Sequence, residues 1–295
     1  MLKRTRWLGW LVGWTLLAFS LPVLSQPLVV GSKRFTESYI LGEIVSQAVA
    51  GSGQDRVRLK SGLGNTGILL SALLSGEIDL YPEYTGTVTR EILKTEQSLS
   101  LEQINERLAP LGLQAGVLLG FDNSYVLAMR REQAKELQIK TISDLAKHPR
   151  LVPGLSHEFI GRKDGWKGLS EAYQLGGMSP RGLDHGLAYE AIVAKQIDVV
   201  DAYGTDSKLK RYGLTVLQDD RRFFPSYEAL LLYRADVPTK FPESWKIIQT
   251  LQNKISQQTM LDLNTRVEIE GQTFAAVAQQ FLLQLKNDQA QGASG

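Results

Sequence analysis

A chain of 295 residues with 43% hydrophobic content can bury enough apolar surface for two lobes of ordinary size, and a formal charge of +2 with 22% charged residues excludes a disordered, charge-rich chain. The absence of cysteine excludes disulfides, a thiolate nucleophile and a thiolate-bound metal. Beyond the N-terminus no run of Lys or Arg is longer than a pair, which excludes the basic footprint of a nucleic-acid binder.

Lys3, Arg4 and Arg6 precede an uncharged apolar stretch that closes on Val23-Leu24-Ser25. This is the layout of a secretory signal over residues 1–25, with cleavage before Gln26. Residues 7–24 are also just long enough to cross a bilayer, so an uncleaved N-terminal anchor is the alternative. Both place the folded part outside the cytoplasm. Removal of the leader leaves 30 basic against 31 acidic residues, so the basic pI belongs to it.

Leu28-Val29-Val30 reads as a strand, followed by a helix capped by Thr36 whose apolar residues Ile40, Leu41, Ile44, Val45, Ala48 and Val49 recur at helical spacing. Residues 57–60 read as a second strand. Gly62 to Gly67 opens a helix that ends at Gly76, and residues 78–81 form a third strand running into a helix start. Alternation of this kind predicts an α/β lobe with a largely parallel sheet. Ser100-Leu101-Glu102-Gln103 has the form of a capping box for a helix to Leu108, broken by Pro110 and Gly112. A second series follows: strand-like 151–153, helix-like 164–175 and 187–196, and a strand at 197–200. After Arg234 the pattern is helical over 242–255, 260–267 and 274–286. The expected organisation is a discontinuous lobe one (26–119 and 225–287), lobe two (120–224) and a tail (288–295), joined by two short crossovers rather than a flexible tether.

Gly62-Leu63-Gly64-Asn65-Thr66-Gly67 matches the dinucleotide-binding spacing, with Glu83 about 20 residues on. The preceding Val57-Arg58-Leu59-Lys60 alternates apolar and charged residues, unlike the continuous apolar strand beneath a dinucleotide, so we read a glycine-rich helix start and expect no cofactor. His148, His157 and His185 stand apart from any nucleophile elbow or zincin pattern. Asp79 with Glu83, or Asp198 with Asp201, could serve as paired carboxylates of a secreted hydrolase or transferase, but nothing else marks a reacting centre, so neither an enzyme nor a metal site is expected.

Two internal echoes do point to a site. Ile78-Asp79-Leu80 with Tyr84-Thr85 returns as Ile197-Asp198-Val199 with Tyr203-Gly204-Thr205. Ser124-Tyr125 before an apolar strand and Arg130 returns as Ser226-Tyr227 before an apolar strand and Arg234. If two similar lobes face each other, Tyr84, Tyr125, Tyr203 and Tyr227 converge on the cleft beyond the sheet ends. Ring faces attract a cation that donates no hydrogen bonds, on the order of 0.5–2 kcal/mol each when desolvated, so such a pocket suits a quaternary ammonium. Another small solute such as an amino acid, with the tyrosines as rim residues, is the alternative.

Lys33-Arg34-Phe35-Thr36-Glu37-Ser38, Gly76-Glu77-Ile78-Asp79-Leu80-Tyr81-Pro82-Glu83-Tyr84-Thr85-Gly86-Thr87, Val200-Asp201-Ala202-Tyr203-Gly204-Thr205-Asp206 and Asp219-Asp220-Arg221-Arg222-Phe223-Phe224-Pro225, in this order, closely resemble the substrate-binding proteins of osmoprotectant ABC transporters. The resemblance covers about residues 28–287. It implies a two-lobed periplasmic-binding-protein fold of the type II kind with the ligand between the lobes. The implied ligand is glycine betaine, carnitine, choline or proline betaine. It also implies that the four tyrosines form the cage and that Lys33, Thr87 and Arg162 meet a ligand carboxylate, with Ser38 and Asn123 as supporting residues. Many members have glutamine at the position of Ser38 and serine at that of Gly204. The implied protein is a periplasmic monomer whose permease and ATPase partners are separate chains.

Overall fold

The computed structural model describes residues 26–53 and 55–292; the signal expected over 1–25 lies outside the described residues. Strands β1 (Leu28–Gly31), β2 (Val57–Lys60), β3 (Leu80–Tyr84) and β4 (Leu113–Gly116) begin one sheet. Strands β5 (Tyr125–Arg130), β6 (Pro153–Ser156), β7 (Arg181–Leu183), β8 (Val199–Tyr203) and β9 (Leu214–Val216) build a second, and β10 (Ala229–Arg234) returns to the first. The orders are β2-β1-β3-β10-β4 and β7-β6-β8-β5-β9, giving an α/β fold of two lobes.

The sheets are mixed rather than largely parallel. β1 runs parallel to β2 and β3, and β6 parallel to β7 and β8, but β10 lies antiparallel between β3 and β4, and β5 antiparallel between β8 and β9. The reason is the chain path: β5 and β10 are the strands that follow the two crossovers, and each lies between two strands of its own lobe that run the other way. These are the two halves of the Ser-Tyr echo.

The other echo has a local cause. Asp79 Oδ2 accepts from Val29 N and Asp198 Oδ2 from Val152 N, both at 2.8 Å, while each aspartate's own amide donates to that same valine's carbonyl. Each aspartate thereby clamps the strand before β3 or β8 to its neighbour. β3 itself starts later than expected and extends through Pro82, Glu83 and Tyr84, all buried, so the tyrosine is both the strand's last residue and the N-cap of the short helical turn that begins at Thr85.

Helix α1 (Thr36–Ala50) buries Ile40, Leu41, Ile44, Val45 and Val49 and packs against the last helix, α2 (Phe274–Gly292). Thr36 is the first helical residue, and Phe35 before it supplies no side-chain cap. The last helix continues past Lys286 into the stretch read as a tail. Asn65 caps the helix at Thr66–Leu74, and Ser100 with Gln103 forms the expected capping box. Among the described residues, no helix is long and apolar enough to cross a membrane.

The two crossovers lie side by side. Leu119 N donates to Ala229 O (2.8 Å), Ala229 N to Phe121 O (2.9 Å) and Asn123 N to Tyr227 O (3.0 Å). Asp122 staples them, accepting from Ser124 N (2.9 Å), Ser226 Oγ (2.5 Å) and Tyr227 N (2.7 Å). Tyr125 and Tyr227 emerge from this ribbon on the side where the cleft opens.

Candidate functional site

β3 delivers Tyr84 and β8 delivers Tyr203 at their last residues, while β5 begins on Tyr125, its direct cross-strand partner being Tyr203. Tyr227 arrives from the returning crossover. The rings of Tyr125 and Tyr203 lie 5.0 Å apart at 43°, and Tyr227 meets Tyr125 edge-on at 5.6 Å. Both are ordinary geometries for aromatic contact. The four tyrosines line one cavity together with Lys33, Thr87 and Asn123. Phe35 and Glu158, which the sequence did not single out, complete it; the Phe35 ring is 5.6 Å from that of Tyr203.

The cavity is about 20 Å3, room for about one water molecule, so the rings are packed nearly shut. A chamber of about 410 Å3 adjoins it at the cleft mouth and shares Lys33, Phe35, Glu158 and Tyr203 with it. Arg34, Asn65 and Ile68 from lobe one face His157, Asp184 and His185 from lobe two across this chamber.

The two cations expected at the site are buried and already paired. Lys33 Nζ lies 2.5 Å from Glu83 Oε1, and both side chains are covered. Glu83 also accepts from Tyr84 N (3.1 Å), and its second oxygen has no partner among the described residues. Burial raises the Glu83 carboxyl above its usual range, with Lys33 opposing. Ser38 stands behind the cavity wall, its Oγ accepting from Lys33 N at 2.8 Å. Arg162 holds Asp164 in a two-pronged contact (Nε 2.8 Å, Nη2 2.6 Å), lies 3.6 Å from Glu158, and places its guanidinium 5.4 Å from the Tyr125 ring centre. It does not line the closed cavity itself. Asp164 in turn accepts from the Tyr227 hydroxyl at 2.5 Å, so the arginine reaches two of the four tyrosine rings, one directly and one through its partner.

The candidate carboxylate pairs are dispersed. Asp79 and Asp198 are the clamps described above, and Asp201 is buried and takes Ser156 N (2.6 Å) and Oγ (2.7 Å). Among the described residues no cluster of His, Asp or Glu could hold a metal. The Gly62 to Gly67 stretch curls beside Tyr39, whose hydroxyl would meet a Cβ at Gly62, and its Gly64 and Asn65 end at the outer chamber.

Two groups that the sequence left unmarked organise the surroundings. Glu37 is buried behind Tyr84, whose hydroxyl donates to it. Behind Tyr203, Asp206 accepts from Tyr203 N (3.0 Å), the Tyr189 hydroxyl (2.6 Å) and His185 Nε2 (3.0 Å). Burial disfavours the His185 charge, but Asp206 more than offsets it and pushes the imidazole up to about 9.

A family model described as the substrate-binding domain of ABC-type glycine betaine transport systems matches residues 26–284. An ergothioneine transport permease/ergothioneine-binding protein of Helicobacter pylori is 38% identical over 267 residues, 88% of this chain; the chain spans only 48% of that relative's length. A glycine-betaine-binding protein of Pseudomonas aeruginosa is 35% identical over 274 residues, with 88% of each chain covered. Among solved structures, that of a glycine betaine/carnitine/choline ABC transporter protein superposes with a TM-score of 0.69 at 28% identity, covering 87% of this chain and 98% of the other.

Proposed function

Since the chain belongs to the family of substrate-binding domains of ABC-type glycine betaine transport systems, whose members bind a solute for transport and are not enzymes, we propose that its cleft captures a quaternary-ammonium solute in the cage of Tyr84, Tyr125, Tyr203 and Tyr227. The convergence of four tyrosines from four separate chain segments, two per lobe, on one cavity carries this reading. Methylated nitrogen donates no hydrogen bond and sheds water readily, so ring faces suit it, whereas a primary ammonium would leave its donors unpaired.

The trimethylammonium head takes its place by parting the lobes, and their closure then sets rings on several sides of it. Lys33 and Arg162 come from opposite lobes, and Thr87 supplies a hydroxyl. A ligand carboxylate shares the cations with Glu83 and Asp164 and gains charge-assisted hydrogen bonds only when both lobes are in place. Glycine betaine, carnitine, choline and proline betaine are the small candidates. The protein works in the periplasm as a monomer and hands its solute to a permease and ATPase on separate chains.

The outer chamber favours a second, larger ligand of the same class. Its volume of about 410 Å3 is continuous with the cage wall and would accept a side group attached to a betaine. Ergothioneine, for which the Helicobacter relative is named, is itself a trimethylammonium carboxylate bearing a heteroaromatic group. Calorimetry with glycine betaine, carnitine, choline, ergothioneine, proline and lysine tests the proposal. At least one methylated ammonium binds and is recovered intact, and lysine does not bind; tight lysine binding with no response to any quaternary ammonium would overturn it.

A further inference from the structure

Glu37, in the first turn of α1, is 2% exposed and forms no ion pair with any described lysine, arginine or histidine. Its oxygens instead take four donors. Oε1 accepts from the Tyr84 hydroxyl and from Asn123 Nδ2 at 2.9 Å; Oε2 accepts from Thr205 Oγ1 at 2.5 Å and Asn264 Nδ2 at 3.2 Å.

The directions of the two amides are fixed by their other contacts. Asn123 Oδ1 accepts from Thr205 N (3.1 Å), so its NH2 must face Glu37, and the Asn264 NH2 also donates to Thr205 O (3.1 Å). Four donors fill the acceptor set of an ionised carboxylate, whereas a neutral acid would bring a fifth proton and force one hydroxyl to turn away. The pocket is therefore built for a charge that no described cation neutralises. A buried charge satisfied only by dipoles remains costly, and it raises the value of any cation that arrives nearby.

Tyr84 connects this charge to the cage. Its ring lines the cavity while its hydroxyl rests on Glu37, and a phenol donating to a carboxylate presents a more electron-rich face. The ammonium of Lys33, 5.6 Å from that ring, is committed to Glu83. We propose that Glu37 is the counter-ion of the bound quaternary ammonium, acting through the Tyr84 hydroxyl and holding Thr205 of the opposite lobe against the closed site. The inference rests on the cage reading above.

Burial pushes the Glu37 carboxyl up to about 7, opposed by its hydrogen bonds to Thr205, Tyr84 and Asn264, while the charge of Asp206 adds to the rise. The other charged groups around it are the Lys33 and Glu83 pair beside Tyr84, Asp206 with His185 beyond Tyr203, and, next to Asn264 on its helix, Glu268, which accepts from Ser207 Oγ (2.7 Å) and lies 3.9 Å from Lys208. A cation in the cage favours the ionised form of Glu37 and lowers its pKa, so binding expels a proton wherever the free protein is protonated. Affinity accordingly rises as pH increases through about 7 and then levels off.

The test is calorimetry of the full chain with choline, which carries no carboxylate of its own, at about pH 6 and about pH 8 in two buffers of different ionisation enthalpy. Wild-type protein is expected to release a fraction of a proton at the lower pH and to bind several-fold more tightly at the higher, up to about tenfold for each unit by which Glu37 is lowered. Glu37→Gln should weaken binding at high pH and abolish both the proton release and the pH slope. The wild-type proton count stands even if that variant fails to fold. No proton release by the wild type, or an unaltered slope in Glu37→Gln, overturns the counter-ion while leaving the cage intact. Failure of choline, glycine betaine and carnitine alike to bind overturns both.

Discussion

Tyr203 is the one of the four tyrosines that lines both the ring cavity and the outer chamber, and it is the most exposed of them; its ring meets Phe35, Tyr125 and His185. Tyr203→Ala removes one ring face and should weaken binding of any quaternary ammonium by several-fold or more, read by calorimetry. Unchanged affinity would place the ligand elsewhere. Arg162→Ala should cost glycine betaine more than choline, because only betaine offers a carboxylate, although both ligands lose something as Asp164 and the Tyr227 hydroxyl are left without their cation. Equal losses would confine the arginine to holding Asp164. The His185 and Asp206 pair gives a stability prediction. Because the folded state raises His185 from 6.5 to about 9, its contribution is fully present below about pH 6.5 and is lost as pH rises through about 9, a decline of at most about 3 kcal/mol. Thermal melts across this range should fall in the wild type and flatten in His185→Gln. The tyrosines were legible in the sequence because each sits at a repeated offset from an apolar strand. Glu37 and Asp164 were not, because what ties each to the site comes from distant segments: Tyr84, Asn123, Thr205 and Asn264 around Glu37, and Tyr227 on Asp164, whose other partner Arg162 is local.

The echoed elements do different work from that suggested by their sequence alone. Asp79 and Asp198 recur because each clamps the start of a parallel strand, and the Ser-Tyr stretches recur because each follows a crossover into an antiparallel slot. Alternating strands and helices reveal that a sheet exists, but strand direction depends on where the chain enters it, which no local pattern records. The glycine of the short helical turn after β3 has a packing role: a Cβ at Gly86 would lie 2.5 Å from the Tyr227 ring and 2.9 Å from Ser226 O. Gly86→Ala should therefore cost about 1–3 kcal/mol of stability and also weaken binding by displacing a cage ring. Ser100→Ala, which removes one side of the capping box at a residue that lines neither the ring cavity nor the outer chamber, should cost about 1 kcal/mol with affinity unchanged. Denaturant melts together with calorimetry separate the two outcomes. Space alone does not exclude a serine at Gly204, where a Cβ would meet only ordinary contacts, the nearest being Ser124 O at 3.7 Å.

For the molecule as a whole, two lobes of matching plan turn the last residues of β3 and β8 toward each other, and the paired crossovers carry Tyr125 and Tyr227 into the same space. The lobes meet through Glu37, Asn123, Thr205 and Asn264, and a ring cavity of about 20 Å3 cannot admit a trimethylammonium group without opening. On the proposed reading binding couples to lobe motion, and a ligand present at about 100 times its dissociation constant should stabilise the folded protein against unfolding by about 2.7 kcal/mol. Periodicity and repeats were enough to anticipate a two-lobed α/β protein, whereas the closeness of the rings and the pairing of Lys33 and Arg162 depend on how the lobes meet. The most direct measurement is a calorimetric series on this protein from glycine betaine through dimethylglycine and sarcosine to glycine, with the carboxylate constant and the methyl groups removed one at a time. Affinity should fall at each step, most sharply once the nitrogen gains a proton to donate; equal affinity along the series, or a preference for glycine, would contradict a cage that selects methylated ammonium.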